Sequence, residues 1–209
     1  KCLENYQSEI QKKLIKIFND TALKICEGQQ LDIEFEKLKD LKFSDYIHMI
    51  KYKTAVLLGS SLKMGGIINN VSETDLKLLY EIGLNLGLAF QIQDDYLDLF
   101  GYEKLIGKKI GGDVINRKKT VMYHVFKDTC SNEASHKLDQ IFHDTEIDDN
   151  IKIEKIKTFY QDAEVDLKTK KLSHDYSSKA ISCIGDLNIQ SENKNNLLDI
   201  SNKLLSRNY

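Results

Sequence analysis

Residues 72–101 read SETDLKLLYEIGLNLGLAFQIQDDYLDLFG. Ser72 with Asp75 three positions on has the form of a capping box and opens a helix. Leu76, Leu79, Ile82, Leu86 and Phe90 then recur at steps of three and four, which predicts one long apolar helix ending near Phe100 and stopped by Gly101. The same period extends outward. Leu3, Tyr6, Ile10, Leu14, Ile17 and Phe18 predict one buried helix face, and a second helical stretch is expected from about Thr21 to Glu36. Ser44 and Asp45 are the expected N-cap of a helix carrying Ile47, Ile50, Thr54 and Leu57. Residues 101–117 hold four of the chain's 11 glycines and no amphipathic period, so a loop is expected there. Helices resume near Lys118 and fill the rest, with breaks near 131–133, 144–149 and 187–191. Asp148-Asp149 in the second break reads as a helix N-cap. Hairpin signals are missing, and no Pro/Gly/Ser linker or repeat divides the chain. The expectation is a single all-α domain over residues 1–209.

Composition narrows the function. Lys plus Arg come to 30 and Asp plus Glu to 32, a net charge of −2, which excludes a general polyanion binder and makes nucleic acid an unexpected partner. The 209 residues contain no proline, against collagen-like and most loop-rich β architectures. No apolar run approaches the ~20 residues of a membrane span. The N-terminal KCLENYQSEI is neither a signal peptide nor an Arg-rich transit peptide. Cys2, Cys26, Cys130 and Cys183 are widely spaced, with no CxxC or Cys/His ligand pattern, so four reduced thiols and a cytoplasmic protein are expected. The five histidines are scattered and read as core or surface residues.

The chemistry concentrates in Gln91-Ile92-Gln93-Asp94-Asp95-Tyr96-Leu97-Asp98. Asp94 and Asp98 share a helix face, and Asp95 lies about 100° around. Like charges at i, i+4 repel, and the macrodipole disfavours anions toward a helix C-terminus. A bound cation relieves both penalties, and hard oxygen ligands suit Mg²⁺, which combines one or two carboxylates with water and substrate phosphates. A solvated acidic helix end is the bland alternative. The next segment shifts the balance: Gly107-Lys108-Lys109-Ile110-Gly111-Gly112-Asp113 and Lys118-Lys119-Thr120 offer close backbone approach and point positive charge for phosphate. This loop fits neither GxxxxGK[ST] nor GxGxxG, which disfavours a nucleotide P-loop. Upstream, Gly28-Gln29-Gln30-Leu31-Asp32 is a further polar piece, and Lys53-Thr54 interrupts an apolar stretch where a polar partner is invited.

Together these pieces resemble the trans-isoprenyl diphosphate synthases, the farnesyl and geranylgeranyl diphosphate synthase family. FQIQDDYLDLFG is similar to that family's second aspartate-rich motif. GKKIGGDVINRKKT resembles the loop after it, EGQQLD the family's GQxLD, and KYKTAVLL its KT motif. Order and intervals agree from about residue 20 to 125, and more weakly to Tyr176, Ala180, Leu187 and the terminal Leu204-Leu205-Ser206-Arg207. The resemblance implies an isoprenoid synthase-type helical bundle, a homodimer, and head-to-tail condensation of an allylic diphosphate with isopentenyl diphosphate. It implies Mg²⁺ ligation by Asp94, with Asp95 and Asp98 completing or supporting the cluster. It also implies diphosphate contacts from Lys53, Lys108 and Lys118, with Lys109 able to replace Lys108 by a one-residue slip. Thr54 and Gln91 would face the reacting prenyl chain, Gln29 would line the same cavity, and Lys53, Thr54, Gln91 and Asp94 would carry the catalysis.

One departure matters. The family has two aspartate-rich motifs, and no DDxxD or arginine precedes Asp94. The first motif would lie N-terminal to Lys1, so the bundle is expected to be incomplete at its N-terminus and the chain inactive or nearly so on its own. It is read as the C-terminal part of a synthase. A non-catalytic partner subunit and a terpene cyclase are the alternatives, the latter opposed by the GKKIGGD loop.

Overall fold

The computed structural model describes residues 3–38, 40–101 and 110–206. These are helical and contain no strand, in agreement with the all-α expectation. Lys108 and Lys109 lie outside the described residues, as does Arg207.

The two helical stretches expected at the N-terminus are one continuous helix, α1 (Ser8–Phe35). No proline interrupts it, and Gly28, the one residue able to loosen it, is pressed against the next helix. Its buried residues are Leu14, Thr21 and Gly28, a seam of seven-residue steps. That seam displaces the expected face: Phe18 is 64% exposed, because it lies to one side of the line through Leu14 and Thr21. Thr21 ties the seam to the neighbouring helix through a 2.6 Å hydrogen bond to Ser60.

The next rod comprises α2 (Phe43–Ile50), a π-helical turn (Lys51–Ala55) and α3 (Val56–Ile68). It starts slightly before the expected Ser44–Asp45 cap, because the Lys42 carbonyl already accepts from the amides of Asp45 and Tyr46. Asp45 occupies the first turn, where its charge suits the helix dipole. In the π turn the Val56 amide donates to the Lys51 carbonyl, five residues back, so this turn holds one extra residue.

The long helix α4 (Glu73–Phe100) is the centre of the fold. Its N-terminus is capped as expected: Ser72 Oγ accepts from the Asp75 amide at 3.1 Å. Asp75 in turn accepts from the Asn188 amide at 2.8 Å, anchoring a distant loop. α4 is buried on several sides because its neighbours approach closely. A Cβ at Gly83 would stand 2.4 Å from Gly59 Cα, and one at Gly87 2.4 Å from Ala55 Cα, so backbone meets backbone where α3 and α4 cross. Gly101 ends the helix in extended conformation.

The expected loop contains a single helical turn, α5 (Gly112–Ile115), entered through Gly111 at φ +80°. Asp98 nucleates it across space, its Oδ2 accepting from the Asp113 amide at 2.9 Å. The remaining helices are α6 (Val121–Thr129), α7 (Asn132–His143), α8 (Asp149–Asp162), α9 (Val165–Asp186) and α10 (Ser191–Leu205). Asp148 caps α8, as expected, accepting from the amides of Asn150 and Ile151. A further break, at Glu164 with φ +55°, separates α8 from α9 with no Gly or Pro to announce it. α9 packs along α4, and Ala180, Ile184 and Leu187 join Leu79, Ile82 and Leu86 in one core. The larger core joins α2, α4 and α6–α8 around Tyr46, Ile92, Phe126 and Tyr160. It sits directly beneath the carboxyl end of α4.

Candidate active site

The C-terminal end of α1, α2 from Tyr46 onward and the π turn after it, the end of α4 and the α5–α6 connection surround a cavity of about 220 Å³. Polar groups face it from every side: Asp32, Lys53, Gln91, Asp94, Asp95, Asp98, Asp113 and Lys118. Tyr46, Met49 and Ile50 supply apolar wall. The structure thus brings together segments separated by up to 86 residues in sequence, Asp32 to Lys118.

The π turn brings Lys53 to the wall of this space, while Thr54, which does not line the cavity itself, meets Gln91. Lys53 Nζ lies 2.7 Å from Asp32 Oδ2, and Lys118 Nζ lies 3.6 Å from the same oxygen. Both described lysines expected to hold diphosphate therefore converge on one carboxylate. Burial disfavours the Lys118 ammonium, but the negative charge of Asp32, Asp113 and Glu36 outweighs it and holds the group charged to a higher pH than usual. The approach is so close at the π turn that α1 needs Gly28 there: a Cβ would stand 2.3 Å from the Lys53 amide nitrogen. Thr54 Oγ1 donates to Gln91 Oε1 at 2.8 Å, and Gln91 Nε2 donates to Asp95 Oδ1 at 3.0 Å. Gln29 is exposed and does not line this cavity.

The three carboxylates near the C-terminal end of α4 occupy different environments. Asp94 is exposed to the cavity. Asp98 accepts the amide of Asp113, and burial raises its pKa. Asp95 is only 6% exposed, and both of its oxygens face protein donors: Gln91 at Oδ1, and the Tyr46 hydroxyl and Val121 amide at Oδ2. Burial pushes Asp95 up to about 6 against the pull of these donors. Asp113, unassigned from sequence, also faces the cavity, and burial with the charges of Asp95 and Asp98 raises it to about 7. Its only local signal was its place after Gly111-Gly112. Tyr46 carried none, since its partner lies 49 residues away.

Among the described residues no closed set of three or more His, Cys, Asp or Glu side chains converges on one point. Oxygen-only donors, an accessible Asp94 and neighbouring carboxylates that resist ionisation together fit an open site for Mg²⁺, which takes its other ligands from water and phosphate.

This crowding has a pH signature. Asp95 and Asp113 have folded-state pKa values above their ordinary 3.8, so the stability they confer is full below that value and is lost as pH rises through about 6 and about 7. Buried His124 acts oppositely: burial lowers it to about 4, so its penalty falls below its ordinary 6.5. Above pH 6.5 the carboxylate term outweighs what remains of the opposing His124 term. The metal-free chain is therefore expected to lose up to about 1 kcal/mol between pH 6.5 and 8, and millimolar Mg²⁺ to abolish that loss. Calorimetric melting with and without the cation checks both.

The polyprenyl synthetase family model matches residues 1–161, which include every candidate site residue. The chain belongs to the polyprenyl synthetase family. The geranylgeranyl diphosphate synthase of Saccharolobus solfataricus is 46% identical over 110 residues, covering 53% of this chain and 33% of the relative. The short chain isoprenyl diphosphate synthase of Methanothermobacter thermautotrophicus is 40% identical over 120 residues, covering 57% and 37%. A crystal structure of a geranylgeranyl pyrophosphate synthase superposes with a TM-score of 0.91 at 39% identity, over 99% of this chain and 64% of that one. Another, from Pyrococcus horikoshii Ot3, gives 0.88 at 28% identity over 99% and 62%. The matched region thus spans about a third of these curated relatives. The family's all-α fold is the fold described above. Among the described residues no helix is long and apolar enough to cross a membrane.

Proposed function

We propose that this chain forms the allylic-diphosphate half of a Mg²⁺-dependent prenyltransferase that joins an allylic diphosphate head to tail with isopentenyl diphosphate. The observation that carries the reading is the convergence of Lys53 and Lys118 on Asp32, beside Asp94 and above the Thr54–Gln91 pair. A diphosphate entering the cavity replaces the Asp32 carboxylate as partner of both lysines. Asp94 would ligate Mg²⁺, with Asp98 supporting the cluster, while both oxygens of Asp95 are taken up by protein donors. The bound cation would supply charge to stabilise the departing diphosphate. Lys53 and Lys118 add positive charge at the same place, preorganised and away from bulk water. Thr54 Oγ1 and Gln91 Oε1 present lone pairs where the allylic carbons become positive. Met49, Ile50 and Tyr46 keep water from that charge. Attack by the double bond of isopentenyl diphosphate and loss of a proton complete the condensation.

Geranylgeranyl-type chemistry is a supported analogy, since relatives of this name share 36–46% identity with the matched region. The homodimer belongs to the same proposal, supported by exposed Ile15, Phe18, Leu23 and Ile33 on α1. Cytoplasmic residence is supported by the free thiols of Cys26, Cys130 and Cys183. Calorimetric titration with geranyl diphosphate is the test. Binding is expected to tighten by at least about tenfold on adding Mg²⁺; metal-independent binding, or none, overturns the reading. Turnover by this chain alone is expected below about 1 s⁻¹, because only one aspartate-rich segment is present in its sequence.

A further inference from the structure

We propose that Asp95 is a positioning residue for Gln91 rather than a cation ligand: it fixes which end of the Gln91 amide faces the prenyl chain, and Tyr46 holds Asp95 in place to do so. This inference rests on the prenyl-transfer reading of the site.

A carboxylate accepts hydrogen bonds and donates none. Asp95 Oδ2 is engaged by the Tyr46 hydroxyl and faces the Val121 amide at 3.5 Å, which leaves Oδ1 for Gln91. Gln91 lies one helical turn before Asp95, so the two share a face of α4 and meet without distortion. Against a pure acceptor the amide turns its NH₂ group inward, and Nε2 donates to Oδ1 at 3.0 Å. The carbonyl end is thereby directed the other way, to Thr54, whose hydroxyl donates to it at 2.8 Å. The negative end of the amide dipole is thus set before any substrate arrives. An allylic group losing diphosphate develops positive charge, which that oxygen favours and an NH₂ group would repel. Tyr46 is itself fixed, its ring 6.1 Å from that of Phe43 and 5.6 Å from that of His124. Of Asp94, Asp95 and Asp98, Asp94 is the exposed one and faces the cavity.

The test compares two ligands in the presence of Mg²⁺: a neutral allylic thiolodiphosphate, and a diphosphate carrying an ammonium in place of the reacting carbon. The wild-type chain is expected to prefer the ammonium ligand. In Asp95→Asn the new side-chain NH₂ can donate to Gln91 Oε1 and reverse the amide. The preference is expected to fall about tenfold or more, while the neutral ligand binds within about threefold of wild type. Tyr46→Phe is expected to lose part of the preference, about threefold, and serves in place of Asp95→Asn if that variant does not fold. The Gln91 side-chain amide protons, followed by ¹⁵N-resolved exchange, should be protected in the wild type and unprotected in Asp95→Asn. Equal weakening of both ligands, as expected for a lost cation ligand, overturns the proposal. So does a preference retained in both variants. If the wild type binds neither ligand, the prenyl-transfer reading fails and takes this inference with it; the first two failures leave wild-type binding intact, so the cases are distinguishable.

Discussion

Gly28→Ala is expected to destabilise the chain by about 3 kcal/mol and to lower its melting temperature by roughly 6–12 °C. Helix propensity alone predicts the opposite sign, since Ala is favoured over Gly in a helix interior by up to about 1 kcal/mol. Packing decides it. The added Cβ would lie 2.3 Å from the Lys53 amide nitrogen and 2.7 Å from Lys53 Cα, and backbone cannot swing aside as a side chain can. α1 must withdraw, and Asp32, one turn further along α1, withdraws with it. The Lys53–Asp32 pair should loosen with the helix contact, so allylic diphosphate affinity is expected to change along with stability. Gly65→Ala and Gly185→Ala are the internal controls. No atom lies within 4 Å of a Cβ built at either position, so each should stabilise by about 0.4–1 kcal/mol. Thermal melts of the three variants distinguish packing from propensity directly. A neutral Gly28→Ala would show that the α1–π-turn contact is far looser than described.

Asp94→Asn is expected to weaken Mg²⁺-dependent binding of geranyl diphosphate by at least about 100-fold, since removal of even an outer partner of a metal ligand costs about 10–100-fold. The same change should raise the stability of the cation-free protein by a few tenths of a kcal/mol. Burial is the main reason Asp95 and Asp98 are hard to ionise, the charge of Asp94 adds to it, and deleting Asp94 removes that repulsion. Function and stability therefore move in opposite directions, as expected where charges are held together for a ligand. Calorimetric titration and melting of one protein preparation test both halves. A stability loss with binding unchanged would identify Asp94 as structural.

Much of this was legible in the sequence because it is local. The Ser72–Asp75 cap, the apolar steps of α4 and the Asp148 cap each depend on residues within a few positions of one another. The carboxylates of α4 stood out for the same reason: their spacing is unfavourable within the helix that carries them. What escaped depends on distance. Gln91 and Asp95 are one turn apart, but Tyr46, which completes their network, comes from a different helix. Asp113 reaches the cavity only because Asp98 nucleates a turn in what reads as a loop. The continuity of α1 was hidden by a change of face near Phe18. Gln29 reads as a cavity residue from its motif, yet it is exposed and does not line the cavity, although Asp32 on the same helix does.

The extra residue in the π turn at Lys51–Ala55 acts as a phase shift between the two halves of a rod. A helix advances about 100° per residue, so deleting one residue there would turn α3 by that angle relative to α2 and shorten the rod by about 1.5 Å. Gly59 would then leave its crossing with Gly83, and Thr54 would leave Gln91. The chemistry beside the cavity and the bundle packing are in step only because of this one inserted residue, which makes the turn a point where length, rather than residue type, is constrained.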